Sequence, residues 1–388
     1  MSYQVAVVGG GPAGMMAAIS AARLGHHVRL YEQNADPGRK LLITGGRRCN
    51  ITTAVSQQVF LERLTGPAHF IRPALSALSP DDVVAFFERH GVKLKLEGDK
   101  YYPATDRAGD ILDCFKQQLQ QTGVELRRST KVTGISMEDD RVIGIRTSRF
   151  EPADKVIIAT GGISYPVTGS DGKLLASLAS IDRIAWRPGL VSLYTRNDFS
   201  PVMGIALTDA VLAYQRQRIR GEILFTHYGL SGPAVLDLSN HLSAETFPLA
   251  ITIDLLPDVT REQLADTLFG SRKQRQRGLA GLLPKRLMAY VLDLYQETDM
   301  ANLKKSDREE LLDRFKAHPV TVERPGNIEQ ATISLGGVDI KQLKAKTLEH
   351  RTIKGLYFAG ECLDIAGPTG GYNLQLALST GYLAGRLG

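Results

Sequence analysis

Cysteine is scarce in this chain. There are three among 388 residues, Cys49, Cys114 and Cys362. An odd number at such wide spacing excludes a disulfide framework and lacks the close pairing of a zinc site, so no metal is expected. No CxxC pair is present, which disfavours a disulfide-reductase mechanism. The usage fits a reducing compartment, and a cytoplasmic location is expected. Also missing is any apolar run near the roughly 20 residues of a membrane span, so no membrane partner is expected. The first strand begins near residue 3, which leaves no room for a signal peptide in front of it. There is no internal repeat and no low-complexity tract. Neither sign of charge dominates: 47 Lys and Arg face 41 Asp and Glu, a net charge of +6. That balance permits an acidic partner such as RNA without demanding one, and no DNA partner is expected.

What is present begins at the first residues, MSYQVAVVGGGPAG. An apolar run, Val5 to Val8, meets Gly9, Gly11 and Gly14, and a helix-like stretch from Met15 to Leu24 follows. Strand, tight turn and helix are the context a dinucleotide site requires. Gly9 permits the turn, Gly11 lets the backbone approach a pyrophosphate, and Gly14 lets helix and strand pack closely. The helix start at Pro12 and Ala13 offers unpaired N–H groups to the phosphates. A second apolar stretch from His27 ends in Glu32, whose carboxylate can accept from ribose hydroxyls, with Gln33 beside it. The other reading of these glycines is a turn in an ordinary βαβ unit.

The chain is long enough for two or three domains, and a hydrophobic content of 43% supports sizeable cores. Residues 36–53 read as a glycine- and arginine-rich loop, 80–90 as a helix, 92–103 as a hairpin and 106–122 as a helix. Lys155 to Ala159 is a buried-type strand closed by Thr160, Gly161 and Gly162. The pattern changes after Trp186. Residues 187–256 are β-rich and 260–316 helical, with strands returning near 331. The fold class expected is α/β, with a first domain over 1–186, an inserted domain over 187–330, and the first domain resuming over 331–388.

Two further segments carry site signals. The ATGG at 159–162 ends a strand in two glycines, where a ligand can lie against the backbone or the chain can simply turn. Residues 355–381 run from a strand into Gly360 and Glu361, then through Gly367, Pro368, Gly370 and Gly371 into a helix near Tyr372, Asn373 and Leu374. A helix N-terminus there can stabilise negative charge on a reduced flavin, and the Gly–acid pair suits ribityl hydroxyls or pyrophosphate. Both ends of the chain together point to FAD. No second GxGxxG lies in the middle, so NAD(P)H is expected at most as a transient visitor.

The segments GRKLLITGGRRCN (38–50), ATGG (159–162), FTHYGLSGP (225–233), SLGGVD (334–339) and GLYFAGECLDIAGPTGGYN (355–373), in this order, resemble the BaiN-like or YhiN-like FAD-dependent oxidoreductases, also called the aminoacetone oxidase family. The resemblance spans essentially the whole chain. It implies a glutathione-reductase-like FAD-binding Rossmann domain interrupted by an inserted domain of a small β-barrel and helices. It also brings Arg39 and Lys40 into the expected cofactor set. The family's loop reads GGGRCN, and here Arg47 replaces the third glycine, which either reshapes the loop or puts a cation near the cofactor or substrate; Arg47 and Arg48 are counted with the candidate substrate or RNA contacts.

FAD carries the hydride chemistry, which leaves a proton donor to find. Candidates are Cys49, His227, Tyr165, Tyr228 and Tyr372. Arg47 and Arg48 flank Cys49 and would lower its thiol pKa; otherwise Cys49 is packing. His227 could be an acid, an anion ligand or a turn-fixing residue. Basic residues cluster at Arg216, Arg218 and Arg220 and at Arg272, Lys273, Arg275 and Arg277. They could neutralise phosphates or form a solvated face. Residues 186–330 hold 18 Lys and Arg against 18 Asp and Glu, so the insert is not uniformly basic. Three functions stay open. One is reduction of an activated C=C bond, with ribosomal RNA uridine or a small enone implied by the resemblance. The second is oxidation of a small amine or alcohol. The third is FAD-containing RNA or partner binding without catalysis.

Overall fold

The computed structural model describes residues 2–270, 278–293, 300 and 303–388. The chain divides into two compact units, residues 1–187 with 328–388, and residues 188–327.

The first unit is built on a five-stranded sheet. Its strand order is Leu356–Phe358, Lys155–Ile158, Gln4–Val8, His27–Tyr31 and Glu125–Arg127. Every pairing is parallel. A parallel sheet is covered on both faces, which is why Val5–Val8 and Val156–Ile158 are continuous apolar runs and fully buried. The helix Pro12–Arg23 crosses from the first strand to the second. The C-terminal helix Tyr372–Gly385 packs against it, and Ser20 Oγ donates to Tyr382 O at 2.9 Å. The helix Pro80–Arg89 begins in a capping box of Ser79 and Asp82. The hairpin Leu94–Glu97 and Lys100–Pro103 carries Thr52–Thr53 as a third strand.

The second unit is a closed antiparallel barrel in the order Leu193–Thr195, Gly229–Ser231, Gln217–Thr226, Ala206–Tyr214, Leu249–Asp254 and His318–Pro325. Alternate residues point inward, so Leu193, Leu212, Ile223, Phe225, Ile251, Ile253, Val320 and Val322 fill its centre. The helices Arg261–Phe269, Lys285–Leu292 and Lys305–Lys316 add to this core through Leu264, Leu287 and Phe315.

The architecture is the expected Rossmann domain interrupted by a barrel with helices. Two details differ. A helix, Pro233–Leu242, lies within the stretch read as β-rich. The strand His318–Pro325, which closes the barrel, precedes the expected return of strands near 331. Its apolar signal is only Val320 and Val322, and prolines sit at both ends, so periodicity alone does not mark it.

Candidate functional site

The glycine turn after the first strand is made by Gly9 at φ 107°, and Gly9 N donates to Tyr31 O at 2.8 Å. A Cβ on Gly14 would run into Gly9 O, so helix and turn touch backbone to backbone. A Cβ on Gly11 would meet nothing within 4 Å. The turn is therefore tight on its protein side and open on its other side. Gly11 is extended at the N-cap, Pro12 opens the helix, and no side chain among the described residues caps it. The first-turn N–H groups are left for a ligand.

Glu32 ends the second strand with 7% of its surface exposed. One carboxylate oxygen accepts from Gly10 N at 2.9 Å, and the other accepts from Asn34 N at 2.8 Å and Asn34 Nδ2 at 2.7 Å. Asn34 Nδ2 also donates to Thr168 O at 3.0 Å, and Gln33 Nε2 donates to Gly169 O. Thr160 Oγ1, at the end of the neighbouring strand, is buried and has no partner among the described residues. A buried hydroxyl without a partner costs free energy unless a ligand completes it.

A second polar group joins four distant segments. Lys40 Nζ donates to Glu361 Oε2 at 2.7 Å and to Ser164 Oγ at 2.7 Å. Glu361 Oε1 accepts from Ser334 N at 2.8 Å, and Ser334 Oγ accepts from Ile163 N and Ser164 N at 2.8 and 2.9 Å. The Lys40–Glu361 pair is about one-fifth exposed on each side, so one edge of it is open. Gly360 N donates to Thr380 Oγ1 at 2.9 Å, tying this corner to the last helix.

That helix starts after Gly370 and Gly371, both at positive φ. With its amide oxygen turned toward the helix, Asn50 accepts from Gly371 N at 3.0 Å and donates to Thr52 O at 3.0 Å. Asn373 holds the approach loop, accepting from Gly367 N at 2.9 Å and donating to Gly367 O at 2.8 Å. Tyr372 is buried, stacks on Phe60 at 4.7 Å, and its hydroxyl accepts from Arg63 at 3.0 Å. Leu374 is half-buried against the core.

The expected activation of Cys49 is corrected. Cys49 is 0% exposed and burial pushes its thiol up to about 12. Arg48 turns away from it. Its guanidinium donates to Asp106 at 2.7 Å and Glu97 at 2.6 Å and lies 4.2 Å over the Tyr102 ring. Arg47 and Arg39 are exposed. Arg47 adopts φ 73°, the left-handed region natural to the glycine it replaces, at a cost of roughly 1 kcal/mol or more for a residue with a Cβ.

In the barrel unit His227 is exposed at the turn between Thr226 and Gly229, its ring edge-on to Tyr228 at 5.0 Å. Arg216 and Arg218 are exposed around the 214–217 hairpin with no ion pair among the described residues. Arg220, by contrast, is neutralised by Asp209 at 2.6 Å and Asp258 at 2.7 Å. Arg272, Lys273, Arg275 and Arg277 lie outside the described residues. Sequence reasoning missed Asn34, Asn50, Ser164 and Ser334. The last three stand in or beside motifs it quoted, but their partners lie on other segments, from 27 positions away for Ser334 and Glu361 to 321 for Asn50 and Gly371. Among the described residues there is no His, Cys, Asp and Glu group able to hold a metal, and no helix is long and apolar enough to cross a membrane.

A central parallel strand, an open glycine turn, an acid at the next strand's end and an orphaned threonine hydroxyl beside them fit the FAD-binding site of a flavin-dependent oxidoreductase. The chain belongs to the family described as HI0933-like protein Rossmann domain, whose pattern matches residues 3–387. It is 31% identical to a 3-dehydro-bile acid delta(4,6)-reductase of Clostridium scindens, over 99% of this chain and 98% of that one. It is 29% identical to a ribosomal RNA dihydrouridine synthase of Escherichia coli, over 98% and 96%. Among solved structures, it resembles in fold the 3-ketosteroid-delta4-(5alpha)-dehydrogenase of Rhodococcus jostii RHA1. That match has a TM-score of 0.53 and 16% identity, covering 99% of this chain and 95% of the other. The protein is an FAD-dependent oxidoreductase.

Proposed function

We propose that this oxidoreductase adds hydrogen across an activated C=C bond and that its substrate is uridine in ribosomal RNA, giving dihydrouridine. The observation that carries the reaction class is that two relatives, each matched over nearly their whole length, have names describing hydrogen added across a C=C bond. RNA is favoured by the exposed arginines of the barrel hairpin, Arg216 and Arg218, which have no acidic partner among the described residues. Reduction of a small enone is the second reading, favoured by the 31% identity to the bile acid reductase.

FAD, when bound, would supply the hydride, drawn from a donor such as NAD(P)H. The turn Gly9 to Gly14 and the helix opening at Pro12 and Ala13 would hold the pyrophosphate. Glu32, with Gln33 and Asn34 bracing its strand end, would hold the ribose. Thr160, Gly161, Lys40, Gly360 and Glu361 would line the rest, with Arg39 at the edge. The helix start at Gly370, Gly371, Tyr372, Asn373 and Leu374 would place backbone N–H groups where negative charge gathers on reduction.

The proton for the substrate carbon is assigned to His227. His227 is exposed on its turn, whereas the Cys49 thiol, pushed up to about 12 with no exposed surface, is a poor acid and out of reach. Arg47 and Arg48 then serve the loop, Arg48 through its ion pairs. The test is anaerobic. The protein is reduced and mixed with ribosomal RNA lacking dihydrouridine, and flavin absorbance and RNA composition are followed. Flavin reoxidation matched by dihydrouridine is expected, and His227→Gln should slow it roughly 100-fold with FAD still bound. Reoxidation by enones alone would move the substrate to the second reading.

A further inference from the structure

The barrel carries a run of planar groups that leads away from His227. Leu193 points into the barrel, so Tyr194 faces out. Arg324 lies directly opposite Tyr194 on the neighbouring strand, its guanidinium 3.6 Å from the ring centroid. On its other side Tyr194 stacks on Tyr228 at 4.7 Å and 27°. Tyr228 in turn meets His227 edge-on. Thr195 N donates to Tyr228 O at 3.1 Å, and Tyr228 Oη donates to Ser192 Oγ at 3.5 Å, so the turn is fixed.

These rings are not core. Neither Tyr194 nor Tyr228 packs into the barrel's hydrophobic cluster, and both are half-exposed. Arg324 is exposed and, among the described residues, makes only long bonds, to Pro325 O at 3.3 Å and Asn327 Oδ1 at 3.4 Å. No carboxylate pairs with it among the described residues, whereas its neighbour Arg196 is paired with Glu323 at 2.6 Å. An unneutralised guanidinium held flat on a ring offers a π face and a positive charge together.

We propose that Arg324, Tyr194 and Tyr228, beside His227, form a stacking platform for an unpaired nucleobase of single-stranded RNA, with Arg324 also meeting the adjoining phosphate. Bases splayed from RNA stack on aromatic rings and guanidinium planes, and a phosphate follows each base. The platform stands at the far end of the strand Gln217–Thr226 from Arg216 and Arg218. At about 3.3 Å per residue the two features are roughly 30 Å apart and engage different nucleotides. This inference rests on the RNA reading above and adds to it the surface that takes the base.

The test uses the FAD-loaded full chain and two labelled single-stranded RNA oligonucleotides, one uridine-rich and one abasic at its central positions, with binding read by fluorescence anisotropy. The intact RNA should bind more tightly than the abasic one. Tyr194→Leu should weaken intact RNA by about tenfold while leaving abasic RNA and FAD content unchanged, and Tyr228→Leu should do the same. Equal affinity for the two RNAs, or a base preference that survives Tyr194→Leu, would overturn the platform and leave the RNA reading standing. If the wild-type chain bound neither RNA, the RNA reading would fail and the platform with it.

Discussion

Burial pushes the thiols of Cys49 and Cys362 up to about 12 and that of Cys114 up to about 11. An unfolded cysteine titrates near 8.5. Above about pH 9 the unfolded chain releases thiol protons that the folded chain keeps. The stability these thiols contribute is complete below that pH and is lost as pH rises toward 12. At pH 8 a thiol reagent should therefore modify none of the three in the native protein and all three after denaturation. Fast modification of Cys49 in the folded chain would contradict the buried placement. The sequence neighbours of Cys49 suggested the opposite shift because adjacency along a chain does not fix where a long side chain points. Arg48 reaches the 94–106 hairpin region instead, where Glu97 and Asp106 hold it.

At the scale of elements, the first strand, turn and helix were legible because every determinant lies within a dozen residues. An apolar run, glycine spacing and a proline at the helix start are local signals. The same holds for the helix Pro80–Arg89 and the hairpin after it. The Lys40–Glu361–Ser164–Ser334 group was not legible, because it assembles residues from four segments and only the sheet order brings them together. Glu32 stands between these cases. Its position at the strand end was readable, but its bonds to Gly10 and Asn34 were not. They make Glu32 a brace for the glycine turn as well as the proposed ribose ligand. Glu32→Ala should lower FAD occupancy of the purified protein and cost about 1–3 kcal/mol in thermal or denaturant unfolding, since Gly10 N would lose its partner. Full flavin occupancy in that variant would contradict the assignment.

For the whole molecule, a parallel-sheet unit supplies the FAD turn and a barrel unit supplies exposed basic and aromatic groups. The net charge of +6 does not by itself mark an RNA-binding protein, and residues 186–330 are balanced in sign. What distinguishes Arg216, Arg218 and Arg324 is that no acid neutralises them among the described residues, while Arg196, Arg220 and Arg261 are all paired. Composition counts charges and cannot separate these two kinds of arginine. The proposed reaction carries the flavin's electrons to a uridine in ribosomal RNA. Its most direct test is mass spectrometry of ribosomal RNA from cells lacking the gene, with and without a restored copy. Loss of a dihydrouridine that returns with the gene is the expected result. Identical ribosomal RNA with and without the gene would contradict it and leave reduction of a small enone as the function.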